Sequence, residues 1–371
     1  MAKIIYGVAG EGFGHSSRAH IIGQWLLDAG HDVIFLVSNK SYRYLGKHFP
    51  DRVYNMPGLT FIYYNSSVSF TRTFFHNLTN VPRMLGPGYN VIMNKLWNFD
   101  ADLVISDFEP FAAFWAKIRS IPCISIDHEH LLTKAQYTEP VAPKMVSYLS
   151  LTITRNYLAE ADAYVILNFF KSAVTCSSAI VLPPVIRRQV LSRKSDSGDH
   201  IICYATTRTS LVKFLKIIRK FPEQKFFIYG ADQDKRLRNC VFKPHSTDGF
   251  LEDLASCRGI IATGGFNLIC ECLHFRKKML VIPIKNQYEQ MVNAVNLETN
   301  GYAINAPEID EQVLADYLEF LRTPVADSDG LLWPDNKAVF EGLDEVFRRV
   351  TNDKVALDAQ ISKVDELMAV A

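Results

Sequence analysis

The sequence predicts an α/β protein made of two Rossmann-like domains, each built on a parallel sheet. Three observations carry that expectation. Short apolar runs alternate with helix-periodic segments through both halves of the 371 residues, the pattern of parallel sheets covered on both faces. A chain of this length exceeds what one hydrophobic core usually organises. Between the halves lie Leu182-Pro-Pro-Val-Ile-Arg187 and the polar stretch Ser192–Asp199, which have the composition of an interdomain linker.

The elements follow in order. Lys3–Ala9 reads as the first strand. His15–Ala29 reads as a helix, with Ile22, Trp25, Leu26 and Ala29 on one face and Gly30 as its C-cap. Asp32–Ser38 is a second strand and Phe61–Asn65 a third. Asp102–Asp107 and Cys123–Asp127 are strands on either side of a helix from Pro110 to Arg119, and Ala163–Asn168 closes the series. Between residues 65 and 95 the alternation breaks into an aromatic and basic segment containing Phe70, Arg72, Phe74, Phe75, His76, Arg83 and Lys95. It reads as a helical excursion with its apolar side inward; an acceptor-facing or membrane-surface patch is the alternative. Beyond the linker the grammar restarts with strands His200–Ala205, Lys225–Tyr229, Cys240–Lys243, Gly259–Ala262, Met279–Ile284 and Tyr302–Asn305. Pro307–Arg322 and Asn336–Val350 are amphipathic helices. The expected units are 1–182, 200–335 and a helical tail, 336–371, packing back on the N-terminal domain.

Composition removes several classes of function. A formal net charge of +1 leaves no large one-sign field for a general nucleic-acid binder. The seven cysteines are scattered singly, without a CxxC pair, as reduced buried thiols would be. No run of about 18 apolar residues is present, so no transmembrane helix is expected. The chain begins directly with a strand rather than a signal peptide. A cytoplasmic protein is expected, with contact at the inner membrane face left open.

Two stretches carry chemistry. The first runs from Gly259 to Ala294: apolar strand, Thr263-Gly264-Gly265 turn, helix, apolar strand, polar loop. Glycines at Gly264 and Gly265 let backbone approach a ligand, and the helix beginning beside them offers unpaired N–H groups to an anion. On that otherwise apolar helix Asn267, Glu271 and His274 share one face. Glu271 is either an exposed stripe on a half-buried helix or an acceptor for ribose hydroxyls.

The second is Gly10-Glu-Gly12-Phe-Gly14-His15-Ser-Ser-Arg18, directly after the first strand. A dinucleotide fingerprint would need an acid at the end of the second strand, which ends Val37-Ser38-Asn39, and no Walker lysine follows the glycines. His15 opens a helix, where the dipole disfavours its cationic form, as a general base requires; a helix-capping role is the alternative. Asp107 ends its strand at the same carboxyl edge, where ligands of open α/β sheets bind, and can fix the imidazole tautomer; its alternative is to cap the next helix. Asp127-His128-Glu129-His130 ends the next strand at that edge. As a metal site it is thin, so acceptor contact by His128, Glu129 and His130 competes with a solvated loop. Asp232-Gln-Asp234 reads as a charged surface turn.

These pieces resemble the GT-B glycosyltransferases that use nucleotide sugars, and within them the family 28-like group that includes the N-acetylglucosaminyltransferase of peptidoglycan synthesis. GEGFGHSSR is similar to that group's Gly-x-Gly-x-Gly-His-x-x-Arg loop. The likeness extends over nearly the whole chain and is most specific at Gly10–Arg18, Ser106–Pro122 and Phe250–Gly301. It implies that Gly264 and Gly265 receive the donor diphosphate, and that Glu271 binds the ribose with Asn267 beside it. Glu289 and Gln290 would contact the donor sugar, Asn293 would support their loop, and Phe242 would meet the base. His15 would be the general base and Asp107 its partner. Arg187 matches a linker arginine of the group without an assigned task. The group's acceptor-side glycine loop is not evident, so the acceptor does not carry over.

The expected function is therefore inverting hexosyl transfer from a nucleoside diphosphate sugar, with UDP the expected carrier, to a glycan, lipid-linked or small-molecule hydroxyl. Neither metal nor other cofactor is expected. A nucleotide-sugar hydrolase or epimerase is one alternative, because the glycine–histidine loop also resembles a hydrolase whose histidine activates water. A non-catalytic nucleotide-sugar binding module is the other.

Overall fold

The computed structural model describes residues 1–10, 13–56, 63–64, 67–68, 87–156, 160–205, 208–244, 246–327 and 329–369. The N-terminal sheet is built from β1 (Lys3–Val8), β2 (Asp32–Val37), β3 (Val53–Asn55), β6 (Leu103–Asp107), β7 (Cys123–Asp127), β8 (Ala163–Leu167) and β9 (Ala179–Leu182). Between β3 and β6, β4 (Tyr63–Tyr64) and β5 (Ser67–Val68) form a small antiparallel ribbon. The sheet runs in the order β3-β2-β1-β6-β7-β8-β9, and every pair in it is parallel. Its strands are apolar on both faces because helices cover both, so β1, β6, β7 and β8 read as continuous hydrophobic runs.

The C-terminal sheet repeats the plan. Its strands are β10 (His200–Tyr204), β11 (Lys225–Tyr229), β12 (Lys235–Leu237), β13 (Cys240–Phe242), β14 (Gly259–Ala262), β15 (Lys278–Val281) and β16 (Ala303–Asn305). They lie in the order β12-β13-β11-β10-β14-β15-β16, parallel except for the β12 edge. In each sheet the order reverses beside the first strand: at β1/β6 in one, at β10/β14 in the other. Ligands of open α/β sheets bind outside such reversal points. The glycine–histidine loop and Asp107 stand at the first, and the Thr263-Gly264-Gly265 turn stands at the second.

The domains touch across their facing edges. Asn267 Nδ2 donates to the Gly14 carbonyl at 3.2 Å, and His128 stacks on Phe266 with ring centroids 4.1 Å apart. The helix Asn336–Ala369 crosses back to the N-terminal domain, where Phe340 stacks on Trp25 at 4.9 Å and Gly342 packs against Leu182. Among the described residues no helix is long and apolar enough to cross a membrane.

Three elements differ from the expectation. The third strand is Val53–Asn55, hydrogen-bonded in register to β2, rather than Phe61–Asn65. Of the latter, only Tyr63–Tyr64 is described, in the ribbon. Ala179–Leu182, assigned to no element from the sequence, is the last strand of the first sheet and ends at the first linker residue, and Lys235–Leu237, beside the Asp232–Asp234 turn, is an antiparallel edge. Phe70, Arg72, Phe74, Phe75, His76 and Arg83 lie outside the described residues, as does Gly12; Lys95 lies on the helix Pro87–Phe99.

Candidate active site

The N-terminal half of the site forms where β1 and β6 end. Gly10 packs against the end of β2 so closely that a Cβ would lie 2.2 Å from Ser38 Oγ. The glycine there lets the loop turn into the helix Gly14–Asp28, which carries His15 and Arg18 on successive turns. Asp107 ends β6, and Phe108 after it takes φ of 50°, a conformation unfavourable for an aromatic residue. The next helix, Pro110–Arg119, is capped by Glu109, whose carboxylate accepts from the Phe111 and Ala112 amides at 3.1 and 2.7 Å. Asp107 is thereby free of capping duty. Burial raises the Glu109 pKa to about 7 despite those two amide bonds.

Asp107 faces His15 and Arg18 instead. His15 Nδ1 donates to Asp107 Oδ1 at 2.7 Å, and Arg18 donates through Nε to Oδ2 at 2.8 Å and through Nη2 to Oδ1 at 2.5 Å. Asp107 is 0% exposed and Arg18 4% exposed. The buried guanidinium balances the buried carboxylate, and the carboxylate fixes the imidazole by Nδ1. Only Nε2 of His15 then remains for a substrate, and Glu129 Oε1 lies 3.4 Å from it. Burial lowers the affinity of His15 for a proton, but the carboxylates of Glu129 and Asp107 together outweigh it and raise the pKa to about 9. The resting histidine is thus an imidazolium at neutral pH, opposite to the expectation from its helix terminus: two nearby full charges exceed half a dipole charge.

His15, Asp107 and Glu129 present donor atoms within 4.8 Å of one another, a spacing a metal ion could use. The Arg18 guanidinium engages both Asp107 oxygens and supplies a cation to the same cluster.

The carboxyl run after β7 divides in three ways. Glu129 turns to His15. His128 is buried: its Nδ1 donates to the Leu167 carbonyl at 2.9 Å, and its Nε2 lies 2.9 Å from Asn293 Oδ1. His130 is also buried, with Nδ1 donating to Asp127 Oδ2 at 2.6 Å, and Asp127 accepts from Ser125 Oγ as well. Burial opposes the Asp127 charge, yet these bonds and the His130 charge hold its pKa at about 2. His128 and His130 therefore build the loop that presents Glu129, and neither the solvated-loop reading nor open acceptor contact describes them.

On the facing domain Gly264 abuts the helix Tyr288–Thr299: a Cβ there would lie 2.6 Å from the Gln290 carbonyl. Gly265 has open space beside it and begins the helix Phe266–His274, whose N-terminal amides receive no side-chain cap from it. Asn293 Nδ2 donates to the Gly264 carbonyl at 3.0 Å, bracing the turn. Gln290 is buried, its Oε1 accepting from the Ile284 amide at 3.0 Å, so its side chain shapes the loop. Phe242 is buried in the C-terminal core at the end of β13. Burial and the nearby Glu129 raise the Glu289 pKa to about 8 against the pull of His15 and Arg18, which brings Glu289 to the same centre from the opposite domain. Glu271 is 8% exposed and paired with Arg187, through Nε at 2.9 Å and Nη2 at 2.5 Å. Sequence reasoning missed both the Arg187–Glu271 pair and the approach of Glu129 to His15.

Two parallel sheets, each covered by helices, with a histidine–aspartate pair on the edge of one and a glycine turn on the edge of the other, form the GT-B fold. The chain belongs to glycosyl transferase family 1, whose model matches residues 2–322. An uncharacterized glycosyltransferase of Methanosarcina acetivorans is 23% identical over 328 residues, spanning 81% of this chain and 84% of that protein. Among solved structures, MurG of Acinetobacter baumannii aligns with a TM-score of 0.55 at 17% identity, over 87% of this chain and 91% of its own. LpCGTa, solved in complex with UDP, aligns with a TM-score of 0.58 at 14% identity, over 96% and 99%.

Proposed function

We propose that this glycosyltransferase moves a sugar from a UDP-sugar to a hydroxyl acceptor with inversion and without a metal ion. The observation that carries the reading is the apposition of His15, held by Asp107, to the Gly264–Gly265 turn, open at Gly265, with Asn267 bridging to Gly14 at 3.2 Å. The acceptor oxygen attacks the anomeric carbon. Its proton passes to His15 Nε2, and the bond from that carbon to the diphosphate oxygen breaks, its electron pair leaving on UDP. Asp107 keeps Nε2 turned to the acceptor and stabilises the imidazolium formed. The glycine turn and the amides of Phe266–His274 receive the departing diphosphate, and Glu271 accepts from the ribose hydroxyls. An acceptor entering between His15 and Glu129 separates the carboxylate from Nε2 and removes the largest upward influence on the histidine pKa. His15 can then be neutral when it takes the proton.

UDP in the LpCGTa complex supports the nucleotide class. The test is the initial rate with UDP-sugars and an acceptor panel, with the anomeric configuration of product read by NMR. His15→Ala is expected to lose ~10²–10⁴ in rate, EDTA to change nothing, and the product to be inverted. A retained configuration, or loss of activity in EDTA, contradicts the proposal. Release of free sugar without acceptor favours the hydrolase reading.

A further inference from the structure

The Arg187–Glu271 pair is unusual in what it joins. Arg187 stands in the linker between the domains, and Glu271 in the middle of an apolar helix of the donor side. Both guanidinium bonds go to one carboxylate oxygen, Oε1, at 2.9 and 2.5 Å; Oε2 takes no part in the pair. The arginine backbone is held as firmly as its head. Preceding it, Ile186 is buried, donates its amide to Asn336 Oδ1 at 2.8 Å and accepts from Asn336 Nδ2 at 2.8 Å. Asn336 begins the helix that carries the chain back to the N-terminal domain. The outward and returning crossings between the domains are thus clamped together, one residue from Arg187.

We propose that Arg187 is a positioning residue for the nucleotide: it holds Glu271 by Oε1, presents Oε2 to the ribose, and ties that contact to the hinge between the domains. The proposal rests on the donor placement given above. A carboxylate only 8% exposed would otherwise favour its neutral form, and burial does raise the Glu271 pKa while Arg187 opposes the rise. An ionised carboxylate accepts stronger hydrogen bonds from hydroxyls than a neutral acid does. The guanidinium is suited to this because its planar fork fixes the orientation of the group it holds.

The test is titration calorimetry with UDP, 2′,3′-dideoxy-UDP and pyrophosphate on the full chain. The wild type is expected to prefer UDP to the dideoxy nucleotide. Arg187→Gln should lower UDP affinity about tenfold, the size of one charge-assisted hydrogen bond, and leave the other two probes unchanged. Arg187→Lys should recover part of the loss. In a Glu271→Gln background, Arg187→Gln should change UDP affinity less than about twofold, because the arginine acts through the carboxylate. A merely structural ion pair would lower thermal stability without altering the ratio of UDP to dideoxy-UDP affinity, and that result overturns the proposal. Equal loss of all three probes overturns it too. Should Arg187→Gln not fold, Arg187→Lys decides alone: an unchanged ratio refutes the positioning role. Wild-type protein that binds UDP no better than dideoxy-UDP defeats the donor placement itself.

Discussion

Replacing Asp107 by asparagine separates the two tasks of one carboxylate. The substitution keeps shape and removes charge from a group that is 0% exposed and accepts from His15 and twice from Arg18. Arg18, 4% exposed, is then a buried cation without its closest partner. Removing one member of a buried pair costs about 3–5 kcal/mol; the asparagine oxygen can still accept one of the bonds, which places the expected loss near the lower end, about 3 kcal/mol. Against a total stability of about 5–15 kcal/mol the protein stays folded. Catalysis suffers separately. An amide cannot balance an imidazolium, and it can present N–H to Nδ1, which would turn the tautomer the wrong way, so the rate should fall by ~10²–10⁴. Urea unfolding followed by tryptophan fluorescence measures the first effect and initial rates measure the second. An unchanged urea midpoint would refute the claim that Asp107 neutralises Arg18. A normal rate would refute the claim that it serves His15.

Other expectations follow from the same geometry. With the His15 pKa at about 9, kcat/KM should climb with pH toward that value, about tenfold per unit, because only the neutral imidazole accepts a proton. Glu129→Gln removes a carboxylate that raises this pKa, so the rising limb should move to lower pH; a limb that stays in place contradicts the pairing of Glu129 with Nε2. Gly264→Ala would bring a methyl to 2.6 Å from the Gln290 carbonyl, and should cost about 1–3 kcal/mol in thermal unfolding. Gly265→Ala has open space beside it and should keep its stability while losing UDP affinity; unaltered calorimetric binding would move the diphosphate elsewhere.

Much of the fold was legible because parallel strands covered on both faces are written as local apolar runs. The short edges were not. Val53–Asn55 and Lys235–Leu237 are each three residues long and owe their state to a neighbouring strand. The meeting of His15 with Asp107 could be read from topology alone, since both stand where their strands end at one sheet edge. Glu129 could not be separated from His128 and His130 in the same way. Three adjacent polar residues differ in direction, and that direction is set by the Leu167 carbonyl, Asn293 and Asp127, which are remote in sequence or ambiguous in role. The partner of Glu271 was hidden for a similar reason: Arg187 lies 84 residues away. His15 shows the limit of reasoning from one element, because its helix terminus favours the neutral form and its tertiary neighbours reverse that.

The central claim is a division of labour, with the nucleotide held by one domain and the base supplied by the other. Calorimetric titration of UDP into Glu271→Ala and His15→Ala tests it most directly. The account predicts that Glu271→Ala loses most of its UDP affinity while His15→Ala binds UDP as the wild type does. Loss of UDP binding in His15→Ala, with Glu271→Ala unaffected, would contradict it.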